Sequence, residues 1–360
     1  MIPADIGAEI GRLLQAAVAA GDVPGNVTEL SASGTWRPAP SQAGGGPGTY
    51  ATSLPLQISR LAGMAAGPVA ARLAADLGAL AWIRSARVTG DGYLTASVTA
   101  GHMAALPDRI VGAGQAAVRS SALAGVLTTA PGLPDLGTAP GWEQAWRMQR
   151  DALVGRLAEA AGATVMFAHS QRNPPSDCAA QPNAVPVPAA VARYDADAVK
   201  YALARAPAPQ PEAIIRQLGL PLDLANPFVL VRYAHADAAS TLRWAADLGL
   251  APAGRPAGSA CDELVPPELA LIDAMSWLPE RVAAAARRSR PAELTACLEH
   301  IAGSWLECSE DFPALPFRGS AAPSDPQGPQ VAARLGLANA ARVVLKAGLA
   351  LLGLAAPPRM

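Results

Sequence analysis

Five prolines fall within the eighteen residues QRNPPSDCAAQPNAVPVP (171–188). No helix interior or central strand can run through such a stretch, because each proline removes a backbone donor and fixes φ. Residues 171–190 therefore read as a linker, and the chain patterns differently on its two sides. A length of 360 residues is also more than one ordinary domain uses.

Beyond the linker every periodic segment is helical. Asn226-Pro227 supplies an N-cap and first-turn pair for NPFVLVRYAHADAASTLRWAADLG (226–249), which closes at Gly249. Further helical patterns at 266–275, 278–289, 291–308 and 329–353 predict an α-helical bundle. Before the linker the pattern is mixed. Ile6, Ile10, Leu13, Leu14 and Val18 share one face of an opening helix. Residues 31–49 are rich in Gly, Pro and Ser without a period, the mark of a loop or mobile insert. Helical patterns at 53–64 and 68–78 precede WIRSARVTGDGYLTASV, two extended runs around Gly90-Asp91-Gly92 that suit a β-hairpin. In 101–190, two Ala-rich helical runs lead to a Pro/Gly loop at 130–141. A helix at 142–161 then carries Trp142, Trp146, Leu153, Val154 and Leu157 on one side, and the strand candidate ATVMFAH follows Gly162. The expected fold class is multidomain α and β: a small N-terminal α/β domain over 1–100, a degenerate middle segment over 101–170, the linker, and a C-terminal all-α helical bundle over 191–360.

With 51% hydrophobic and 16% charged residues the chain can bury ample apolar surface. A net charge of −1 gives no general attraction to nucleic acid, so any phosphate-binding surface has to be a local patch. Of the 28 cationic residues only Lys200 and Lys346 are lysine. Cys178, Cys261, Cys297 and Cys308 form no C-x-x-C pair and no Cys/His cluster at zinc spacing, which argues against a metal and a disulfide framework and fits a reduced cytoplasm. The opening MIPADIGAEIG lacks a basic n-region, and VVLKAGLALLGLAAPP is interrupted by Lys346, so neither secretion nor a membrane span is expected. His102, in AGHM, reads as a loop or helix-start residue, and His169 and His300 are isolated. Gly44-Gly45-Gly46 follows no strand and lacks the G-K-[ST] end of a phosphate loop, so no cofactor is indicated.

The runs DADAVKYALAR (195–205), NPFVLVRYAHADAASTLRWA (226–245), LIDAMSWLPERVAAAARRSRP (271–291) and ARVVLKAGLALLGLAAPPRM (341–360) occur in the order and spacing of the anticodon-binding domain of arginyl-tRNA synthetases. The N-P…Y-A-H-A helix and the terminal G-L-x-L-L-G…P-x-R-M are the specific parts, and the resemblance covers roughly 165 residues. A weaker resemblance lies in GTYATSLPLQISRLAG and RLAADLGALAWIRSARVTGDGYLTASV, which look like the N-terminal domain of the same family. In the family that domain leans on the tRNA elbow. Gly48-Thr49-Tyr50 stands here where the family motif reads G-D-Y.

Between its outer domains the family carries a catalytic Rossmann-type domain, larger than the roughly 100–150 residues of a typical domain. About ninety residues separate the two resemblances here. The segment TAPGWEQAWRMQRDALVGRLAEAAGATV (138–165) resembles the strand-end and helix that bear the family's H-x-G-H signature, but Gly141-Trp142-Glu143-Gln144 stands in that place. Adenylation needs cations and donors against the nucleotide's phosphates. The resemblance assigns that work to paired histidines and a K-M-S-K-S loop, and neither is present.

The resemblance makes Tyr233 a residue that stacks on or borders an anticodon base; packing between helices is its plain alternative. His235, two residues on, points to another face and is a candidate contact that reads more readily as a hydrogen-bonded helix-packing residue. Arg287, Arg288 and Arg290 can meet phosphates or form a solvated face with Glu280 and Glu293. Arg232 and Arg243 can bind backbone phosphate, or pair with Asp237 and Asp247. Arg359 and Met360 match the family's terminal residues near the anticodon loop, or simply end a chain packed on the bundle. With Tyr50 these complete the candidate tRNA contacts. The implied function is tRNA binding, an arginine tRNA being the family's own, without catalysis. The alternative is a protein-interaction subunit that partners a full synthetase or another translation protein, and residual arginine activation is the least supported reading.

Overall fold

The computed structural model describes residues 2–21, 23–29, 36–39, 45–168, 185–253, 264–315 and 328–360. Much of the expected linker, part of the 31–49 stretch including Gly44, and His169, Cys178 and Cys261 lie outside the described residues. Two compact units form, Met1–Arg109 with Gly254–Glu280, and Ile110–Ala253 with Arg281–Met360.

In the first unit α1 (Ile2–Ala19) buries Ile2, Ile6, Ile10 and Leu14, while Leu13 and Val18 of the expected face are half-buried. Strands β1 (Trp36–Pro38) and β2 (Thr49–Thr52) are followed by α2 (Leu54–Ala62) and α3 (Ala66–Gly78). The expected hairpin is β3 (Ile83–Thr89) and β4 (Tyr93–Val98). Gly92 turns it at φ 118°, where a Cβ would stand 2.9 Å from Ala66 Cβ. The sheet order is β1-β2-β4-β3, antiparallel throughout. β1 lies inside the stretch read as a loop; three residues are too few to display a period, and their register Trp36↔Thr52 is set by a distant strand. Helix α4 (Ala100–Ala104) is capped by Thr99, whose Oγ1 accepts from the His102 backbone N–H, so His102 takes the helix-start place expected of it.

The helix Pro266–Ser276 belongs to this first unit rather than to the C-terminal bundle. Asp273 explains its placement: Oδ1 accepts from the Gly48 N–H and the Tyr50 hydroxyl, each at 3.0 Å, and Oδ2 accepts from Trp277 Nε1 at 3.3 Å. The compact units divide the chain after Arg109 and again at Gly254 and Glu280.

The second unit takes up the middle of the chain from Ile110, within α5 (Leu106–Ala113). β5 (Leu127–Pro131), α6 (Trp142–Ala160) and β6 (Thr164–Ala168) make a strand-helix-strand crossover in which the two strands pair in parallel. β5 is missing from the sequence reading, which assigns 130–141 to a loop. Gly155 lets α6 close on the sheet, since a Cβ there would meet Ala130 Cβ at 2.1 Å. α7 (Val187–Tyr194) begins inside the expected linker, and α8 (Ala196–Arg205) and α9 (Pro211–Leu218) follow. Trp142 and Trp146 of α6 are buried with Val187, Ala190, Val199, Leu203 and Ile214. Their indole N–H groups donate to the carbonyls of Val185 at 2.8 Å and Ala206 at 2.9 Å, so neither polar edge is left unpaired.

α10 (Pro227–Asp247) starts as the sequence predicts, with Asn226 Oδ1 accepting from Phe228 N–H at 3.1 Å, and Gly249 turns left-handed beyond its end at φ 71°. The remaining helices are α11 (Pro266–Ser276), α12 (Leu278–Arg287), α13 (Ala292–Asp311) and α14 (Gly328–Leu351). α10 packs on α13 and α14. No helix of the described residues is long and apolar enough to cross a membrane.

Candidate nucleic-acid interface

α10 divides its faces sharply. Phe228, Val231, Ala234, His235, Ala238, Ala239 and Ala245 are buried, whereas Tyr233 and Trp244 keep 40% and 56% of their surface exposed. These two are eleven residues apart, close to three helical turns, so they lie on one stripe about 16 Å apart along the axis. Asp237 and Ser240 occupy the turns between. Asp237 Oδ2 accepts from Trp305 Nε1 at 3.0 Å, and burial raises its carboxyl above the usual range. Trp244 is absent from the sequence-based candidates; its i+11 spacing from Tyr233 on a helix of known start is the signal that finds it.

The C-terminal tail is pinned to the same helix at His235 and Arg243. Arg156 of α6 donates to the carbonyls of Ala350 at 2.7 Å and Leu351 at 3.0 Å, placing a cation on the unsatisfied end of α14. Gly353 then turns the chain at φ 71°. The Ala355 N–H donates to Asp197 Oδ2 at 3.0 Å, His235 Nδ1 lies 2.9 Å from the Pro357 carbonyl, and Arg243 Nη1 donates to the Pro358 carbonyl at 2.7 Å. Because a carbonyl only accepts, Nδ1 of His235 carries the proton. Burial lowers the pKa of this imidazole, the bond to Pro357 opposes the shift, and Arg342 and Lys346 of α14 add to it. His235 is therefore neutral near pH 7.

The sequence-based candidates separate on these contacts. Tyr233, Arg287, Arg359 and Met360 are exposed. His235 is only 3% exposed and serves the tail, which decides for packing over contact. Arg243 holds Pro358 and Ser240 instead of pairing with Asp247. Arg232 lies over the Phe228 ring at 4.9 Å and 4.0 Å from Asp195, instead of reaching Asp237. Arg288 pairs with Glu293 at 3.0 Å, the solvated-face arrangement, while Arg287 beside it points to solvent. Tyr50 has no exposed surface, and its ring packs 5.2 Å from that of Trp277, so it offers no face to a nucleotide. Burial and the neighbouring Asp273 carboxylate raise its phenol pKa.

Residues 231–360 match the family model of the DALR anticodon binding domain. Through this helical region the chain is similar to the anticodon-binding domain of arginyl-tRNA synthetases. The arginine–tRNA ligase of Frankia alni is 36% identical over 170 residues, which cover 46% of this chain and 29% of that protein. The arginine–tRNA ligase of Micrococcus luteus is 35% identical over 167 residues, with the same coverage of each chain. The chain thus spans 29% of the length of these relatives. Among solved structures, Thermus thermophilus arginyl-tRNA synthetase aligns over 90% of this chain and 96% of its own with a TM-score of 0.52 and 13% identity, a likeness of fold.

Proposed function

We propose that this chain binds tRNA through the exposed stripe of α10 and the end of its tail, and that it does so without aminoacylating the RNA. The observation that carries this reading is the pair Tyr233 and Trp244, two exposed aromatic residues on the DALR helix. Aromatic faces stack on unpaired bases whatever their sequence, contributing about 1–3 kcal/mol per base. A spacing of about 16 Å suits two separated nucleotides of a loop. Arg359 and Lys346 are exposed cations of the same domain. With 28 cationic against 29 acidic residues in the chain, stacking has to supply more of the affinity than phosphate contacts, and the salt dependence is correspondingly shallow.

The non-catalytic part of the reading draws support from the β5-α6-β6 crossover. At the start of α6, where the resemblance locates catalytic histidines, Trp142 is buried and bonded to Val185, and Trp146 fills the same core one turn on. Neither indole can take a proton or meet a phosphate as imidazole does.

Titrating purified full chain into total tRNA tests the binding, with Tyr233→Ala and Trp244→Ala run alongside. Saturable binding that both substitutions weaken supports the reading, and equal binding by all three proteins overturns it. Arginine-dependent pyrophosphate exchange above a heat-inactivated control would overturn the non-catalytic half. One observation favours a protein partner instead: Leu127, Met166 and Phe167 of the two-stranded sheet are 68%, 55% and 41% exposed. Absence of tRNA binding together with co-purification of a synthetase would move the function there.

A further inference from the structure

We infer that His235 and Arg243 are positioning residues for RNA binding: by holding the carbonyls of Pro357 and Pro358 they fix the course of the tail that carries Arg359 and Met360 along α10. The inference rests on the tRNA reading above and assigns it a device. Pro357 and Pro358 have no backbone N–H, so this part of the tail cannot anchor itself by donating hydrogen bonds. It can only accept, and the donors it finds are both on α10, at 2.9 Å from His235 and 2.7 Å from Arg243. The two prolines also hold φ near −65°, so docking this segment costs less conformational entropy than docking an ordinary one. The anchor is one-sided and specific: two donors eight residues apart on one helix, matched to consecutive carbonyls.

Burial of His235 fits this role. The imidazole is 3% exposed, its Nδ1–H is spent on Pro357, and Nε2 has no hydrogen-bond partner among the described residues. The groups facing it are Arg342 and Lys346 from α14 and the tail carbonyl. A third cation there would meet both of theirs, so the neutral imidazole is the form that holds the tail. Arg243 is braced by Ser240 Oγ at 2.6 Å, which orients its guanidinium toward Pro358. In this role each acts through the two residues that follow Pro358.

Asparagine and glutamine separate this role from simple packing. The side-chain nitrogen of asparagine stands in the place of imidazole Nδ1, whereas glutamine's reaches one bond further, toward Nε2. Amide exchange at Ala355, whose N–H is held by Asp197 in the same tail, is measured on the full chain without RNA. His235→Gln is expected to speed that exchange about tenfold, the loss of one hydrogen bond, and His235→Asn to leave it within about twofold. tRNA affinity is then measured for both variants and for a chain shortened by Arg359 and Met360. His235→Gln and the truncation should each weaken binding about tenfold, and their combination should weaken it no further, since both remove the same contact. His235→Asn should bind as the unmodified chain does.

Unchanged exchange in His235→Gln overturns the anchoring. Additive losses in the combined variant, or equal losses in Asn and Gln, overturn the positioning role in favour of a packing one. Failure of the unmodified chain to bind tRNA removes the RNA reading and the role built on it, while the exchange comparison, made without RNA, still reports whether His235 holds the tail.

Discussion

Two helices of the second unit each carry a pair of aromatic residues, and they use them in opposite ways. On α6, Trp142 and Trp146 are one turn apart, 5% and 9% exposed, with their N–H groups satisfied by carbonyls. On α10, Tyr233 and Trp244 are three turns apart and exposed. The pair on α6 is core. The pair on α10 stands in the matched anticodon-binding domain and faces solvent. A region whose aromatic groups are inside contributes stability, and a region whose aromatic groups are outside is available to a ligand. The contrast is open to direct attack.

The largest effect belongs to α6. Trp146→Ala should destabilise the chain by roughly 3–5 kcal/mol, the cost of emptying a large core site, read as a lower denaturant midpoint. A change below about 1 kcal/mol would mean that α6 does not anchor the core. Trp244→Ala should do the reverse. Stability stays within about 0.5 kcal/mol, as for other surface sites, while tRNA binding falls by about 1–3 kcal/mol. If unfolding rather than binding responds, the distinction between the helices collapses.

A smaller effect comes from pH. The folded state holds His235 below its ordinary value of 6.5, chiefly through burial. The unfolded chain therefore binds a proton more readily. The stability contributed by neutral His235 is full above about pH 6.5 and is lost as pH falls toward the lowered folded value. Comparing the unmodified chain with His235→Asn between pH 7.5 and 5.5, a window chosen around that value, should show a slope that only the histidine protein has. Parallel curves would contradict the buried, neutral imidazole. The smallest effect belongs to Arg287→Ala, which should lower the slope of log affinity against log salt by at most about 1 and leave stability unchanged.

The course of α10 was legible because three local signals agree: Asn226 as cap, Pro227 in the first turn and Gly249 beyond the end. The β3-β4 hairpin was legible for the same kind of reason, Gly90 and Gly92 both taking positive φ. β1 and β5 were not, since three to five residues carry too little pattern and their partners lie elsewhere in the sequence. The allegiance of α11 depends on Asp273 meeting Gly48 and Tyr50 more than two hundred residues away, which no local pattern encodes. At the candidate site the sequence named Tyr233, Arg359 and Met360. It could not separate them from His235 and Arg243, because the choice between contact and packing depends on where the tail runs.

The account's central claim is tested most directly by a nuclease footprint on tRNA bound to the full chain and to Trp244→Ala. Protection centred on the anticodon loop with the unmodified chain, and lost with the variant at equal protein concentration, is the predicted result. Protection confined to the acceptor end, or an anticodon footprint that Trp244→Ala leaves intact, would contradict the assignment of the exposed α10 stripe as the RNA-binding surface.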